Sequence, residues 1–120
     1  VERSQDMDER IPVAVLGATG AVGQRFIQLL ENHPWFRVAT VASSERTQGR
    51  TYAEACRWTL DSEMPAAVRD LPLVPPTPDA VTCPLAFSAL PASVAGPVEE
   101  DLARAGTRLI PFSERAEEPT

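Results

Sequence analysis

Seven residues, Gly17-Ala18-Thr19-Gly20-Ala21-Val22-Gly23, constrain this chain more than any others. Before them runs Ile11 to Leu16, a short and nearly continuous apolar stretch of the kind that forms a strand buried on both faces, with Pro12 tolerable at its first positions. After them Val22, Phe26, Ile27, Leu29 and Leu30 recur at helical spacing until Pro34 stops the pattern. Phe36 to Ala42 is a second β-type run, rich in Val and free of Gly and Pro. Strand, glycine turn, helix and strand within about 30 residues make a βαβ unit, whose crossover is right-handed. Glycines at such a turn let it close tightly, let a phosphate approach the backbone, and let the helix pack close to the sheet. The helix N-terminus then offers unpaired N–H groups to an anion without any cationic side chain. The spacing is G-x-x-G-x-x-G rather than the commoner G-x-G-x-x-G, and a turn that merely requires small residues is the competing reading.

The same alternation continues downstream. A short helix is predicted around Tyr52 to Trp58, and prolines cluster from Pro65 to Pro84 with Leu71 to Val74 as a strand between them. Leu85 to Leu90 is a further apolar run that stops at Pro91. A helix fits Val94 to Ala105, with Ser93 as its cap and Gly106 as its stop. Thr107 to Phe112 closes as another strand. Residues 1–10 form a polar lead-in, 11–112 a partial dinucleotide-binding domain, and 113–120 a charged tail. The fold class expected is α/β and Rossmann-like, a mainly parallel sheet with helices on both faces, truncated.

Two further segments bear on a ligand. Dinucleotide-binding chains that take NAD usually place an acid at the end of the second strand, where it holds the ribose 2′-hydroxyl. Here that strand end reads Ser43-Ser44-Glu45-Arg46-Thr47. Two hydroxyls followed by a guanidinium suit a 2′-phosphate, hence NADP, although Glu45 leaves the NAD-type acid open. The second segment is Phe87-Ser88-Ala89-Leu90-Pro91, where a strand ends in small residues. In open α/β sheets ligands bind outside the carboxyl ends of the strands, and small side chains there leave room for a ring or a ribose.

Composition narrows the rest. With 120 residues, 43% hydrophobic and 23% charged, the chain is sized for one folded domain rather than a disordered tail. No apolar run approaches the roughly 20 residues of a membrane span. The net charge of −6 argues against broad binding to nucleic acid or an anionic membrane. All 11 basic side chains are Arg, so lysine chemistry is excluded within this sequence. Cys56 and Cys83 lack metal-ligand spacing and have only His33 as a companion, so reduced thiols are expected and no metal site. The acid-rich start resembles neither a signal nor a transit peptide, which makes the cytoplasm the expected location.

Taken together, Gly17 to Gln24, Ala42 to Gly49, Tyr52 to Trp58 and Phe87 to Pro91 resemble the amino-terminal part of aspartate-semialdehyde dehydrogenase, in the branch found in archaea, fungi and some bacteria. The likeness runs in matching order from about Ile11 to about Ile110. N-acetyl-gamma-glutamyl-phosphate reductase has a similar glycine turn but matches the later blocks less well. The resemblance implies NADPH-dependent reductive dephosphorylation of β-aspartyl phosphate to aspartate semialdehyde, on the route to lysine, threonine and methionine. It implies that Thr19, Gly20, Ala21 and Val22, between Gly17 and Gly23, contact the pyrophosphate. Ser43, Ser44, Arg46 and Thr47 are implied to surround the 2′-phosphate, and Ser88, Ala89, Leu90 and Pro91 to line the nicotinamide side.

The family's nucleophilic cysteine, in a Ser-Asn-Cys-type motif, its acid/base histidine and its substrate arginines lie in parts that this sequence does not match. Cys56 falls at a non-catalytic family position, Cys83 is expected to pack, and His33 beside Pro34 suits a capping role. The end departs from the family too, with Glu114 where an asparagine is expected and Arg115 out of register. This chain is therefore expected to bind NADP(H) without turning over substrate. A stand-alone NADP-binding module or a gene remnant are the alternatives. The family is expected to be homo-oligomeric, and uncovered apolar surface with an unpaired sheet edge leads to the expectation that this chain is marginally stable or self-associates.

Overall fold

The computed structural model describes residues 9–43 and 47–112. Among the described residues five strands run β1 (Ile11–Leu16), β2 (Phe36–Ala42), β3 (Leu73–Val74), β4 (Leu85–Ser88) and β5 (Arg108–Pro111). The helices are α1 (Ala21–Leu30), α2 (Tyr52–Ala55), α3 (Ala66–Arg69) and α4 (Ala92–Arg104). All strand pairs are parallel, in the order β3-β2-β1-β4-β5. β1 is thus central, and the strand order reverses beside it between β2 and β4, where open α/β sheets bind ligands.

The period of two along β1 separates the core into two faces. Val13 and Val15 pack with Ile27, Leu30, Tyr52, Val68 and Leu73 on the side of α1, α2 and α3. Ala14 and Leu16 pack with Ala42, Val81, Ala86 and Leu102 on the side of α4. Phe87 bridges the first face, with ring centroids 5.4 Å from Phe26 of α1 and 5.9 Å from Phe36 of β2. The second face is thinner: α4 buries only Leu102, while Val94, Ile110 and Phe112 stay exposed.

Several boundaries differ from the sequence expectations. β3 begins at Leu73 rather than Leu71, because the Leu71 carbonyl accepts from Tyr52 N and Pro72 bridges Thr51 instead of pairing with β2. β4 stops at Ser88 rather than Leu90, since Ala89 turns its N–H onto the Leu16 carbonyl at the sheet edge. α4 starts two residues early, at Ala92, with Pro91 as its N-cap. Ser93 therefore lies inside the helix and makes no cap, and Pro91's fixed φ supplies the entry geometry. The predicted helix over Tyr52 to Trp58 is a single turn, and α3 was not anticipated among the prolines. β2 also carries a bulge where Val13 pairs with Val38 and Ala14 with Thr40, leaving Ala39 unpaired. Of the polar lead-in only Glu9 and Arg10 are described, and the charged tail from 113 lies outside the described residues.

α1 lies close against the turn that precedes it. A Cβ on Gly23 would overlap the Gly17 carbonyl oxygen and the Ala18 backbone. Gly96, in α4, has nothing within 4 Å of the corresponding position. Gly23→Ala is expected to destabilise the fold by about 1–3 kcal/mol through overpacking. Gly96→Ala is expected to stabilise it by about 0.5–1 kcal/mol by removing a flexible helical glycine. Chemical denaturation of the two variants checks the opposite signs.

Candidate cofactor-binding site

Three segments singled out in the sequence meet at the carboxyl ends of β1, β2 and β4. Gly17 N and Ala18 N both donate to the Ala42 carbonyl, at 3.0 and 3.1 Å. Ala89 N donates to the Leu16 carbonyl at 2.9 Å. Gly17 has φ of 72°, and a Cβ there would sit 2.9 Å from the Ala89 carbonyl oxygen. Both the left-handed backbone and the close neighbour require glycine. β1, β2 and β4 are thereby drawn together around one turn.

The turn then enters α1 without a side-chain cap at Gly20. Gly20 N closes the turn onto the Gly17 carbonyl at 3.2 Å, and Gln24 N makes the first helical bond to the Gly20 carbonyl at 2.9 Å. Among the described residues, Thr19 N, Ala21 N and Val22 N have no hydrogen-bond acceptor. Gly20 and Ala21 are exposed and Thr19 and Val22 half-buried. These bare donors at the positive end of the helix dipole form a ready anion site.

At the end of β2, Ser43 N is tied to the Val74 carbonyl at 3.0 Å. The Ser43 and Thr47 hydroxyls share a hydrogen bond, so these two predicted site residues stand side by side. Ser44 and Arg46, predicted to complete this group, and the competing Glu45 lie outside the described residues. At the end of β4, Ala89 and Leu90 are half-buried and Pro91 is exposed, but Ser88 is fully buried. Its Oγ has no hydrogen-bond partner among the described residues. An orphaned buried hydroxyl calls for an ordered water or ligand atom.

The residues that support the turn from beneath were missed as functional groups in the sequence. Tyr52 Oη donates to the Ala18 carbonyl at 2.7 Å. Gln24 Nε2 donates to the Thr19 carbonyl and to the Arg57 carbonyl, both at 3.0 Å. Cys56 Sγ lies 4.0 Å from the same Thr19 oxygen. The available signal was Thr51-Tyr52-Ala53-Glu54, a capping box that fixes the start of α2 and hence the place of Tyr52.

The remaining reactive side chains are held in structural roles. His33 Nδ1 accepts from Trp35 N at 3.0 Å and Phe36 N at 3.3 Å, capping the entry to β2. Cys83 is buried with its Sγ 3.5 Å from Thr40 Oγ1. Burial pushes the Cys56 thiol above its ordinary range, and the neighbouring Tyr52 hydroxyl partly offsets the rise. Burial also raises the Tyr52 phenol well above its usual value, with Cys56 adding to the rise. A cavity of about 500 Å³ lies elsewhere, against Arg10, Leu30, Arg37 and Val68, and contains no residue of the glycine turn. No group of three or more His, Cys, Asp or Glu among the described residues is arranged to hold a metal. No helix there is long and apolar enough to cross a membrane.

A parallel sheet with this strand order and a glycine turn of bare N–H groups at its switch point define a dinucleotide-binding Rossmann domain. The chain belongs to the semialdehyde dehydrogenase, NAD-binding domain family, whose model matches residues 12–117. It is 46% identical over 97 residues to the aspartate-semialdehyde dehydrogenase of Archaeoglobus fulgidus, covering 81% of this chain and 28% of that protein. With the enzyme of the same name from Methanothermobacter thermautotrophicus the identity is 52% over 94 residues, 78% of this chain and 27% of the relative. The crystal structure of aspartate-semialdehyde dehydrogenase with NADP from Candida albicans superposes with a TM-score of 0.83 at 33% identity. That match covers 92% of this chain and 31% of the other. The chain thus spans less than a third of the length of these relatives.

The raised Cys56 and Tyr52 groups have a consequence for stability. The unfolded chain ionises these groups at their ordinary values while the folded chain keeps them neutral, so the unfolded state binds fewer protons at alkaline pH and stability falls. Their contribution is complete below about pH 8.5 and declines as pH rises past the ordinary thiol and then phenol values. The melting temperature is expected to fall as pH rises above about 8.5, and Cys56→Ala to flatten the first part of that fall.

Proposed function

We propose that this chain is the NADP-binding portion of an aspartate-semialdehyde dehydrogenase acting in the cytoplasm. In such an enzyme NADPH reductively dephosphorylates β-aspartyl phosphate to aspartate semialdehyde. The observation that carries this reading is the set of bare N–H groups on Thr19, Ala21 and Val22, beside the paired hydroxyls of Ser43 and Thr47. The first set suits a pyrophosphate, and the second suits the ribose end of the cofactor.

The cofactor supplies a hydride from its nicotinamide. The residues of this chain bind and orient it. Gly17, Gly20 and Gly23 keep the turn narrow, and Arg46 with Ser43, Ser44 and Thr47 is assigned to the 2′-phosphate. Ala89, Leu90 and Pro91 border the nicotinamide side, with Ser88 beneath them. The burial of Cys56 and Cys83 supports their exclusion as nucleophiles, because a reactive thiol needs access, and Cys56 is moreover raised where an activated thiol is depressed.

Titration calorimetry with NADP⁺ and NAD⁺ tests the proposal. The chain is expected to bind NADP⁺ more tightly. Arg46→Glu is expected to weaken NADP⁺ by about tenfold or more, the worth of one charge-assisted hydrogen bond, while sparing NAD⁺. Equal affinity for the two cofactors, unchanged by Arg46→Glu, contradicts the assignment. We also propose that the chain self-associates through the β5 edge, where Ile110 and Phe112 are exposed. Sedimentation is expected to show a concentration-dependent increase in mass, and a monomer at all concentrations rules this out.

A further inference from the structure

We infer that the Tyr52 hydroxyl and the Gln24 carboxamide are positioning groups that set the geometry of the glycine turn and aim its bare N–H groups outward. The inference deepens the cofactor reading and rests on it for the identity of the ligand. Tyr52 is fully buried, and its hydroxyl grips the carbonyl of Ala18, itself fully buried. A trans peptide directs its C=O and the following N–H to opposite sides. With the Ala18 oxygen drawn inward, the Thr19 N–H must face away from the core, and it has no acceptor among the described residues.

Gln24 fixes the next peptide. Its Nε2 donates to the Thr19 and Arg57 carbonyls, while its Oε1 accepts from Thr59 N at 2.9 Å and Thr59 Oγ1 at 3.2 Å. Only the carbonyl end of an amide can accept from a backbone N–H, so the Thr59 bond determines which way the side chain faces. Two donors and one acceptor oxygen are all used, and the group is 3% exposed. The Thr19 carbonyl is thereby held inward while Gly20 N closes back onto Gly17.

Both contacts tie the turn to the segment 52–59, more than 30 residues further along the chain, with separations of 34 for Tyr52 to Ala18 and 33 for Gln24 to Arg57. Glycines give the turn its tight path but leave it many conformations in the absence of outside restraint. The two side chains supply that restraint before any ligand arrives, which lowers the ordering cost of binding. Burial keeps the Tyr52 phenol protonated, so its donation to Ala18 persists across the neutral range.

A merely structural Tyr52 would act through its ring, which Tyr52→Phe preserves. Hydrogen exchange of the ligand-free chain reads the turn directly through the bonded amides of Ala18, Gly20 and Gln24, with those of β1 as the reference. In Tyr52→Phe, and in Gln24→Glu, which loses the donors but keeps the acceptor, the turn amides are expected to exchange about tenfold faster relative to β1. The NADP⁺ dissociation constant is expected to rise about five- to tenfold, in line with the loss of a preorganised site. Unchanged turn amides, or an equal acceleration in β1, overturn the inference. Faster turn exchange in a chain whose wild type binds no NADP⁺ upholds the positioning role and refutes the cofactor reading.

Discussion

The approach of Gly23 to the Gly17 carbonyl governs the rest of the molecule. It presses the first turn of α1 against the end of β1 and leaves no space for a side chain between them. Because α1 sits there, Ile27 and Leu30 reach Val13 and Val15, and Phe26 reaches Phe87. The same contact places the uncapped start of α1 above the sheet edge, where its N–H groups meet solvent. Packing and ligand geometry are therefore one constraint. A larger residue at position 23 would move the helix and the anion site together.

The sheet divides the work between its two faces. On one side a large cluster built on Tyr52, Ile27 and Leu73 also carries the groups that restrain the glycine turn from below. On the other, Ala14, Ala42 and Ala86 make a shallow surface on which α4 buries little more than Leu102. The glycine turn is thus anchored to the better packed half. That arrangement suits a site whose donors must be in place before the ligand arrives, since a rigid scaffold holds a binding turn more accurately than a mobile one.

Much of this was legible in the sequence because it depends on local signals. The apolar run Ile11–Leu16, the helical spacing from Val22 to Leu30 and the glycines between them report β1, α1 and the turn directly. That the glycine turn, Ser43 and Ala89 come together was legible for the same reason, since strand ends in a parallel sheet collect at one edge. The resemblance of four separate blocks to one family agreed with the NADP expectation already drawn from the residues that follow β2. What was not legible depends on contacts between distant residues. Leu71 looks like strand but pairs with Tyr52, and Ser93 looks like a cap but Pro91 already starts the helix. No local signal marks Tyr52 or Gln24 as a support of the glycine turn until the fold brings both to it.

The most direct test of this account is a map of amide chemical-shift changes in the isotope-labelled chain as NADP⁺ is added. Changes concentrated at Thr19 to Gly23, at Ser43 to Thr47 and at Ala89 and Leu90 are the predicted result. Changes centred instead on Arg10, Arg37 and Val68, around the cavity that holds no part of the glycine turn, would contradict it. So would a spectrum that does not respond to the cofactor.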